Sequence, residues 1–214
     1  QVKVQRDGLV REYRAGDLIP IELLSFTPDS NSQSLNVFGD KDLPERRASL
    51  IEDLLLNGGI INPGGSARPL QQEFDYRTTP GFAIRFARPV RNGPGPDVVF
   101  FEVQNPMNPS DGDAFHVGPL EWEPGQRFHT IRRYDLMMTS AEALLITERY
   151  IHYADHQIRS PEDLETAAYS AKISPLNTRA LAVGIDLSDL GYGDGESASG
   201  LFFQDAKDDD NHVD

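Results

Sequence analysis

Residues 91–103 read RNGPGPDVVFFEV and decide the class of fold. The first six residues, RNGPGP, cannot continue a helix or a strand, and they therefore predict a tight turn. The run VVFFEV after Asp97 is apolar except for Glu102, as expected of a central strand. Residues 82–86 alternate apolar and polar positions ahead of the turn. The stretch thus predicts two strands with a tight turn between them.

Short strands separated by glycine and proline recur along the rest of the chain. Such repetition favours a sandwich or barrel over a parallel α/β sheet. The predicted fold is mainly β: an antiparallel β-sandwich of jelly-roll or galactose-binding-like type, with one or two short helices and an N-terminal β-hairpin. The remaining strands are predicted at residues 17–27, 114–119, 127–138, 144–152, 180–186 and 199–204.

Two segments carry helix signals. Asp42 is suited to cap a helix that ends before Gly58. Ser160 begins a second helix, which Pro175 limits to a short piece. A third segment is ambiguous, because residues 139–142 form either the capping box of a helix or the approach to a strand.

Composition and charge bound the function. The 214 residues carry 34 acidic and 20 basic side chains, a formal net charge of −14, and no cysteine. This charge repels phosphate, so nucleic acid is excluded as an expected partner. The lack of cysteine excludes disulfides, thiolate nucleophiles and cysteine-based zinc sites. No apolar run approaches the roughly eighteen residues that a membrane-spanning helix needs.

The length predicts one β-sandwich domain at residues 17–214, preceded by a ribbon at residues 1–16. The sequence begins at Gln1 without an initiator methionine. We therefore expect an exported protein, outside the cell or at its surface, whose signal peptide has been removed.

Residues 1–14, QVKVQRDGLVREYR, alternate around Asp7-Gly8, a dipeptide suited to a two-residue hairpin turn. Because an isolated hairpin is marginal in water, this ribbon must pack on its own domain or on a neighbouring subunit. We expect assembly with other copies of the chain. The apolar positions predicted to face a partner, with Val10 as an alternative to Leu9, are Val2, Val4, Leu9 and Tyr13.

The end of the chain, LFFQDAKDDDNHVD, places many carboxylates after an apolar strand. Calcium takes six to eight oxygen ligands, which a dense acidic loop can supply. The metal ligands predicted on this basis are Asp205, Asp208, Asp210 and Asp214. The alternative is a solvated acidic tail. His152 and His156 form a metal pair only if their segment is helical.

Trp122 lies between two glutamates in LEWEPG. Exposed aromatic rings with nearby carboxylates bind sugars, so Trp122 and Tyr134 are the residues predicted to contact a polysaccharide. The alternative is that the single tryptophan belongs to the core. Residues 191–196, GYGDGE, lack a lysine and are interpreted as a turn rather than as a phosphate loop.

Catalytic motifs are not evident, and no G-x-S-x-G occurs. Glu102 is the carboxylate expected to be partly buried. It is either an acid catalyst with a raised pKa, an edge charge, or the partner of Arg85 or Arg88 on an adjacent strand.

The phrase NGPGPDVVFFEV (residues 92–103) resembles the turn and strand of bacterial secreted surface proteins of the exosortase-sorted, PEP-CTERM type. The closing segment, residues 182–214, is similar to the end of such proteins. The resemblance covers about half of the chain and implies a secreted β-sandwich of jelly-roll or galactose-binding-like character. It implies no active-site residues.

Three functions follow as hypotheses. The first is a non-enzymatic extracellular structural protein that assembles with itself into a filament, sheet or matrix. The second is a calcium-stabilised carbohydrate-binding module. The third is an acidic secreted hydrolase.

Overall fold

The computed structural model describes residues 2–6, 9–14, 19–27, 36–39, 59–60, 65–104, 114–132, 136–137, 144–153 and 160–206. Over these residues the fold is mainly β, with almost no helix, and the described strands are antiparallel except for one short parallel pair. No helix among the described residues is long and apolar enough to cross a membrane. The helix predicted to begin at Asp42 lies outside the described residues.

The N-terminal hairpin is confirmed. Its strands are β1 (Val2–Arg6) and β2 (Leu9–Tyr13), and they pair only with each other as a two-stranded sheet. Arg6 lies opposite Leu9, which leaves the two residues Asp7 and Gly8 between the strands. The pairing therefore has the register that a two-residue turn requires.

Six strands form sheet I, in the order β10-β9-β14-β7-β3, with β6 beside β14 in parallel. The strand β14 lies at the centre, between β7 and β9. The strands of this sheet are β3 (Ile21–Thr27), β6 (Gly65–Ser66), β7 (Gly81–Arg91), β9 (Phe115–Pro119), β10 (His129–Ile131) and β14 (Ser197–Ala206).

Six further strands form sheet II, in the order β11-β13-β12-β4-β5, with β8 pairing β13 as well. Residues 144–153 form a strand, which resolves the ambiguity of that segment. The strands of this sheet are β4 (Asn36–Gly39), β5 (Gly59–Ile60), β8 (Val98–Gln104), β11 (Leu136–Met137), β12 (Leu144–Tyr153) and β13 (Tyr169–Ile185).

Two predicted strands differ from those observed. The segment 127–138 is not one strand, because β10 belongs to sheet I and β11 to sheet II. The strand predicted at 180–186 begins at Tyr169 instead. In the pairing with β12, Thr147 lies opposite Leu176 but Arg149 lies opposite Ile173. The strand β13 therefore has one extra residue at this point, next to Pro175. A bulge accommodates proline, which lacks a backbone donor, and the strand therefore continues through it.

The helix predicted at Ser160 is confirmed as α1 (Pro161–Thr166). The side chain of Ser160 accepts a hydrogen bond from the backbone N–H of Asp163 at 3.2 Å and caps the helix. Ala167 ends it in extended backbone, well before Pro175. A single turn of 3-10 helix at Leu187–Leu190 follows β13.

Aromatic side chains of the two sheets meet in a shared core. Phe100 of sheet II lies 4.4 Å from Phe115 and 5.4 Å from Phe203 of sheet I, between ring centroids. Val183 and Ile185 of β13 belong to the same buried cluster. Fully burying one such side chain contributes about 1.5–3 kcal/mol, so this contact is a principal source of stability. The jelly-roll or galactose-binding-like topology remains a prediction.

The opposite face of sheet I is also buried, because Phe202 points away from the shared core while its neighbours Leu201 and Phe203 point into it. The segment after β6 covers that face with Leu70 and Phe74. Residues 200–204 of β14 are therefore buried on both faces of the sheet, which explains the three consecutive large apolar residues at 201–203.

Candidate functional site

The pairing register brings the predicted assembly residues together on the N-terminal ribbon. Val2 lies opposite Tyr13, while Val4 and Leu9 lie opposite Arg11 and Arg6. Residues directly opposite each other share a face of a β-ribbon, and positions two apart along a strand share it too. The register thus selects Leu9 rather than Val10 for this face. A role of these positions in assembly stays a prediction.

The ribbon stands apart from both larger sheets in its backbone hydrogen bonding. Its strand β1 approaches β13 of the same chain. Within the described part of the chain, the outer edge of β2 has no strand partner. An unpaired edge presents backbone donors and acceptors to which another strand can bind.

The predicted metal ligands fall largely outside the described residues. Asp205 lies near the end of β14, half-buried and opposite both Phe115 of β9 and Gly65 of β6. Asp208, Asp210 and Asp214 lie outside the described residues. Within the ranges described, no group of three or more histidine or acidic side chains is placed to hold a metal ion. His152 lies in strand β12, so a helical pair with His156, which is itself not described, does not form.

Trp122 is half-buried at the rim of an aromatic cluster on the outer face of sheet I. Its ring stacks on Phe128 with a centroid distance of 6.0 Å and meets Phe74 edge-on at 6.4 Å. Glu121 and Glu123 beside it are exposed. Trp122 thus packs against the cluster and stays partly exposed. Its contact with a polysaccharide stays a prediction. Tyr134 lies outside the described residues.

Two polar turns form a clasp at one end of the two sheets, and sequence reasoning missed it. The turn 92–97 crosses from β7 in sheet I to β8 in sheet II, and residues 186–196 cross back from β13 to β14. Because β7 pairs β14 and β8 pairs β13, the two crossovers lie side by side.

Asn92 is the centre of this clasp and is 3 % exposed. Its side-chain N–H groups donate to the carbonyls of Tyr192 at 2.8 Å and Gly193 at 2.9 Å. Its side-chain oxygen accepts from the Ser188 hydroxyl at 3.2 Å. Asp97 joins the two turns a second time, because its carboxylate accepts from the backbone N–H of Leu187 at 3.2 Å. These contacts support a structural role for the GYGDGE segment as a turn.

Tyr192 lies in the same clasp, and burial raises the pKa of its phenol to about 12. A hydrogen bond with Gln126 opposes this shift, and the carboxylates of Glu121, Glu123 and Glu196 add to it. The phenol therefore stays neutral at physiological pH and is not placed to act as a general base.

His116 is the most deeply buried titratable side chain that the structure describes, at 1 % exposure. Its Nε2 lies 3.0 Å from the Ser66 carbonyl, which can only accept, so Nε2 carries a proton. Its Nδ1 lies 2.9 Å from the Thr130 hydroxyl. Burial lowers the pKa of His116, and the nearby Arg132 lowers it further, whereas the hydrogen bond to Ser66 raises it. The imidazole is therefore neutral and structural.

Arg85 and Arg88 are not on a strand adjacent to Glu102. Both arginines lie in β7 of sheet I, whereas Glu102 lies in β8 of sheet II, so that prediction is wrong. Arg85 instead lies 3.5 Å from the carboxylate of Glu22 on β3, its true neighbour, in an exposed ion pair.

A scan of protein-family models gives no match to this chain. No curated protein and no solved structure matches it either. The functional argument therefore depends on the residues themselves.

Proposed function

We propose that this chain is a non-enzymatic extracellular structural protein that assembles with copies of itself into a filament, sheet or matrix. In this proposal the two antiparallel sheets form a β-sandwich of jelly-roll or galactose-binding-like type. The N-terminal ribbon links neighbouring subunits. The resemblance to exosortase-sorted surface proteins supports the location outside the cell.

The observation that carries the proposal is that, among the described strands, the ribbon has no backbone pairing with either larger sheet. A two-stranded hairpin is marginally stable in water and needs a surface to cover one face. The strand β1 approaches β13, and among the described strands β2 pairs only with β1. Strand addition at such an edge supplies backbone hydrogen bonds, and apolar side chains on the covered face supply affinity.

The test compares the two faces of the ribbon. Replacing Val4 and Leu9 by serine removes apolar area from the face predicted to meet a partner, and light scattering should then report monomers where the wild type forms large particles. Replacing Gln5 and Val10 by serine alters the other face and serves as the matched control, with particle size unchanged. Equal particle size for both double variants, or for a chain lacking residues 1–14, would contradict the proposal.

A second proposal is a calcium-stabilised carbohydrate-binding module. Its support is the half-buried Trp122 between exposed Glu121 and Glu123, an arrangement in which an aromatic surface and hydrogen-bonding groups are both available to a sugar. The position of Asp205 at the end of β14 places the start of the acidic segment beside β6.

The two halves of this second proposal have separate tests. A calcium ion bound only by the native state raises the melting temperature. The melting temperature should therefore be higher in calcium than in a chelator. An identical melting temperature in both would eliminate the metal. A glycan array should show binding that Trp122→Ala abolishes and Trp122→Phe partly retains, and an array without wild-type binding would eliminate the sugar.

A further inference from the structure

Asn92 and Gly93 form an Asn-Gly dipeptide, a pair that is chemically labile wherever the chain is free to move. Glycine has no side chain to shield its backbone nitrogen, which can attack the side-chain carbonyl carbon of the preceding asparagine. A bond forms between the Gly93 nitrogen and Asn92 Cγ, the nitrogen loses its proton, and the side-chain nitrogen of Asn92 leaves as ammonia. Water then opens the resulting succinimide ring on either side, which gives aspartate or isoaspartate.

The clasp restrains the attacking nitrogen. The backbone N–H of Gly93 donates to the Asp97 carboxylate at 3.0 Å. Because this acceptor is negatively charged, the hydrogen bond stabilises the protonated nitrogen and opposes the loss of its proton. The same carboxylate accepts from the backbone N–H of Leu187 at 3.2 Å, which fixes it against the second crossover. The attacking nitrogen is therefore kept protonated, with its hydrogen directed at Asp97.

The clasp also holds the amide that would be attacked. The side-chain nitrogen of Asn92 donates to the carbonyls of Tyr192 at 2.8 Å and Gly193 at 2.9 Å, and its oxygen accepts from the Ser188 hydroxyl at 3.2 Å. Carbonyl oxygens have no proton to give, so neither can protonate the departing ammonia. Asn92 is 3 % exposed, so bulk water has little access to supply that proton or to open the ring. Ring closure therefore requires the clasp to open.

We propose that Asn92-Gly93 is a latent deamidation site, protected while the clasp is closed and converted irreversibly once the clasp opens. At neutral pH, aspartate at position 92 has no side-chain N–H for the Tyr192 and Gly193 carbonyls. In isoaspartate the chain continues through Cγ, and the main-chain carbonyl that accepts from the Gly195 N–H at 3.1 Å becomes a free carboxylate. Neither product rebuilds the clasp, so the two crossovers separate permanently. This chemistry is independent of assembly and of sugar binding.

The first test compares the folded and the denatured chain. Each of the three side-chain hydrogen bonds of Asn92 lowers the population of the released amide about fivefold, so the folded protein should convert about a hundredfold more slowly. Full-length protein is incubated at mildly alkaline pH with and without guanidinium chloride, and peptide mass spectrometry separates the asparagine, aspartate and isoaspartate forms. Asn57-Gly58, the other Asn-Gly dipeptide of the sequence, is the reference in the denatured chain, where both asparagines should convert at similar rates.

The second test loosens the clasp and keeps the dipeptide. Ser188→Ala removes one hydrogen bond to the Asn92 side chain and should raise the rate of conversion in the folded protein about fivefold. Ser25→Ala is the matched control, because it removes a hydroxyl hydrogen bond from β3 to the Tyr76 carbonyl, at 2.9 Å, and should leave that rate unchanged. Circular dichroism verifies that both variants are folded.

The outcomes of these tests separate the steps of the proposal. Equal rates of Asn92 conversion in the folded and denatured chains would overturn the protection by the clasp. Equal acceleration by Ser188→Ala and Ser25→Ala would assign conversion to global unfolding and would overturn it too. Aspartate without isoaspartate would overturn the attack by the Gly93 nitrogen. Converted protein, isolated by ion exchange, should melt at a lower temperature than unconverted protein, and an unchanged melting temperature would overturn the permanent opening of the clasp.

Discussion

Removing the side chain of Asn92 should destabilise the protein more than its small size suggests. The substitution Asn92→Ala eliminates three hydrogen bonds, to the Tyr192 carbonyl, the Gly193 carbonyl and the Ser188 hydroxyl. The Gly193 carbonyl still accepts a hydrogen bond from the backbone N–H of Glu196 at 3.0 Å, whereas the Tyr192 carbonyl loses its side-chain donor. Because Asn92 is buried, water does not freely replace these partners.

The magnitude follows from the count of bonds. Each lost hydrogen bond costs about 1 kcal/mol, so the free energy of unfolding should fall by about 3 kcal/mol. For a chain of this size each kcal/mol lowers the melting temperature by about 2–4 °C, which gives about 6–12 °C. Urea unfolding followed by circular dichroism measures the first quantity, and a thermal scan measures the second.

The isosteric substitution Asn92→Asp separates hydrogen bonding from packing. It keeps the volume of the side chain but turns a carboxylate oxygen toward two carbonyl oxygens, so it should destabilise at least as much as Asn92→Ala at neutral pH. Asp194→Asn, at an exposed position of the same loop, is the matched control and should stay within about 0.5 kcal/mol of wild type. An Asn92→Asp variant more stable than Asn92→Ala would refute the assignment of the clasp to these hydrogen bonds.

Two further predictions concern sheet I. Burial holds the pKa of His116 below its unfolded value of about 6.5, so the unfolded chain binds the proton more readily, and His116 should cost stability as pH falls from about 6.5 toward its folded pKa. The wild type should therefore lose more stability than His116→Gln between pH 7 and 5 in urea titrations, and equal losses would contradict this account. Gly118→Ala would place a Cβ 2.7 Å from the Phe128 ring and should cost about 1–3 kcal/mol. The smaller ring-free side chain of Phe128→Leu should reduce that cost in a double-mutant cycle, and additive effects would argue against the contact.

Local chemistry made much of the secondary structure predictable. The Asp7-Gly8 dipeptide indicated the hairpin, Ser160 indicated the start of α1, and the VVFFEV run indicated β8, because each signal depends on backbone preferences within a few residues. The start of β13 was predicted wrongly, because Pro175 was expected to interrupt regular structure. Proline restricts the backbone where it stands, but a bulge supplied by the pairing with β12 accommodates it.

The candidate site was less predictable because its contacts join distant residues. The sequence indicated that Trp122 is an aromatic residue between carboxylates. Only packing brought it against Phe74 and Phe128. On the ribbon, the sequence left Leu9 and Val10 as alternatives, and only the pairing of Arg6 with Leu9 assigned Leu9 to the face with Val2 and Tyr13.

By itself the sequence determined a mainly β, acidic, cysteine-free chain with a basic N-terminal hairpin. Tertiary structure alone decided that β7 and β8 belong to different sheets and that Asn92 binds the Tyr192 carbonyl a hundred residues away. The reason is physical: turn and strand preferences act between near neighbours, whereas hydrophobic burial is non-directional and does not specify which strands meet. That choice is made by the whole set of pairings and packed side chains at once.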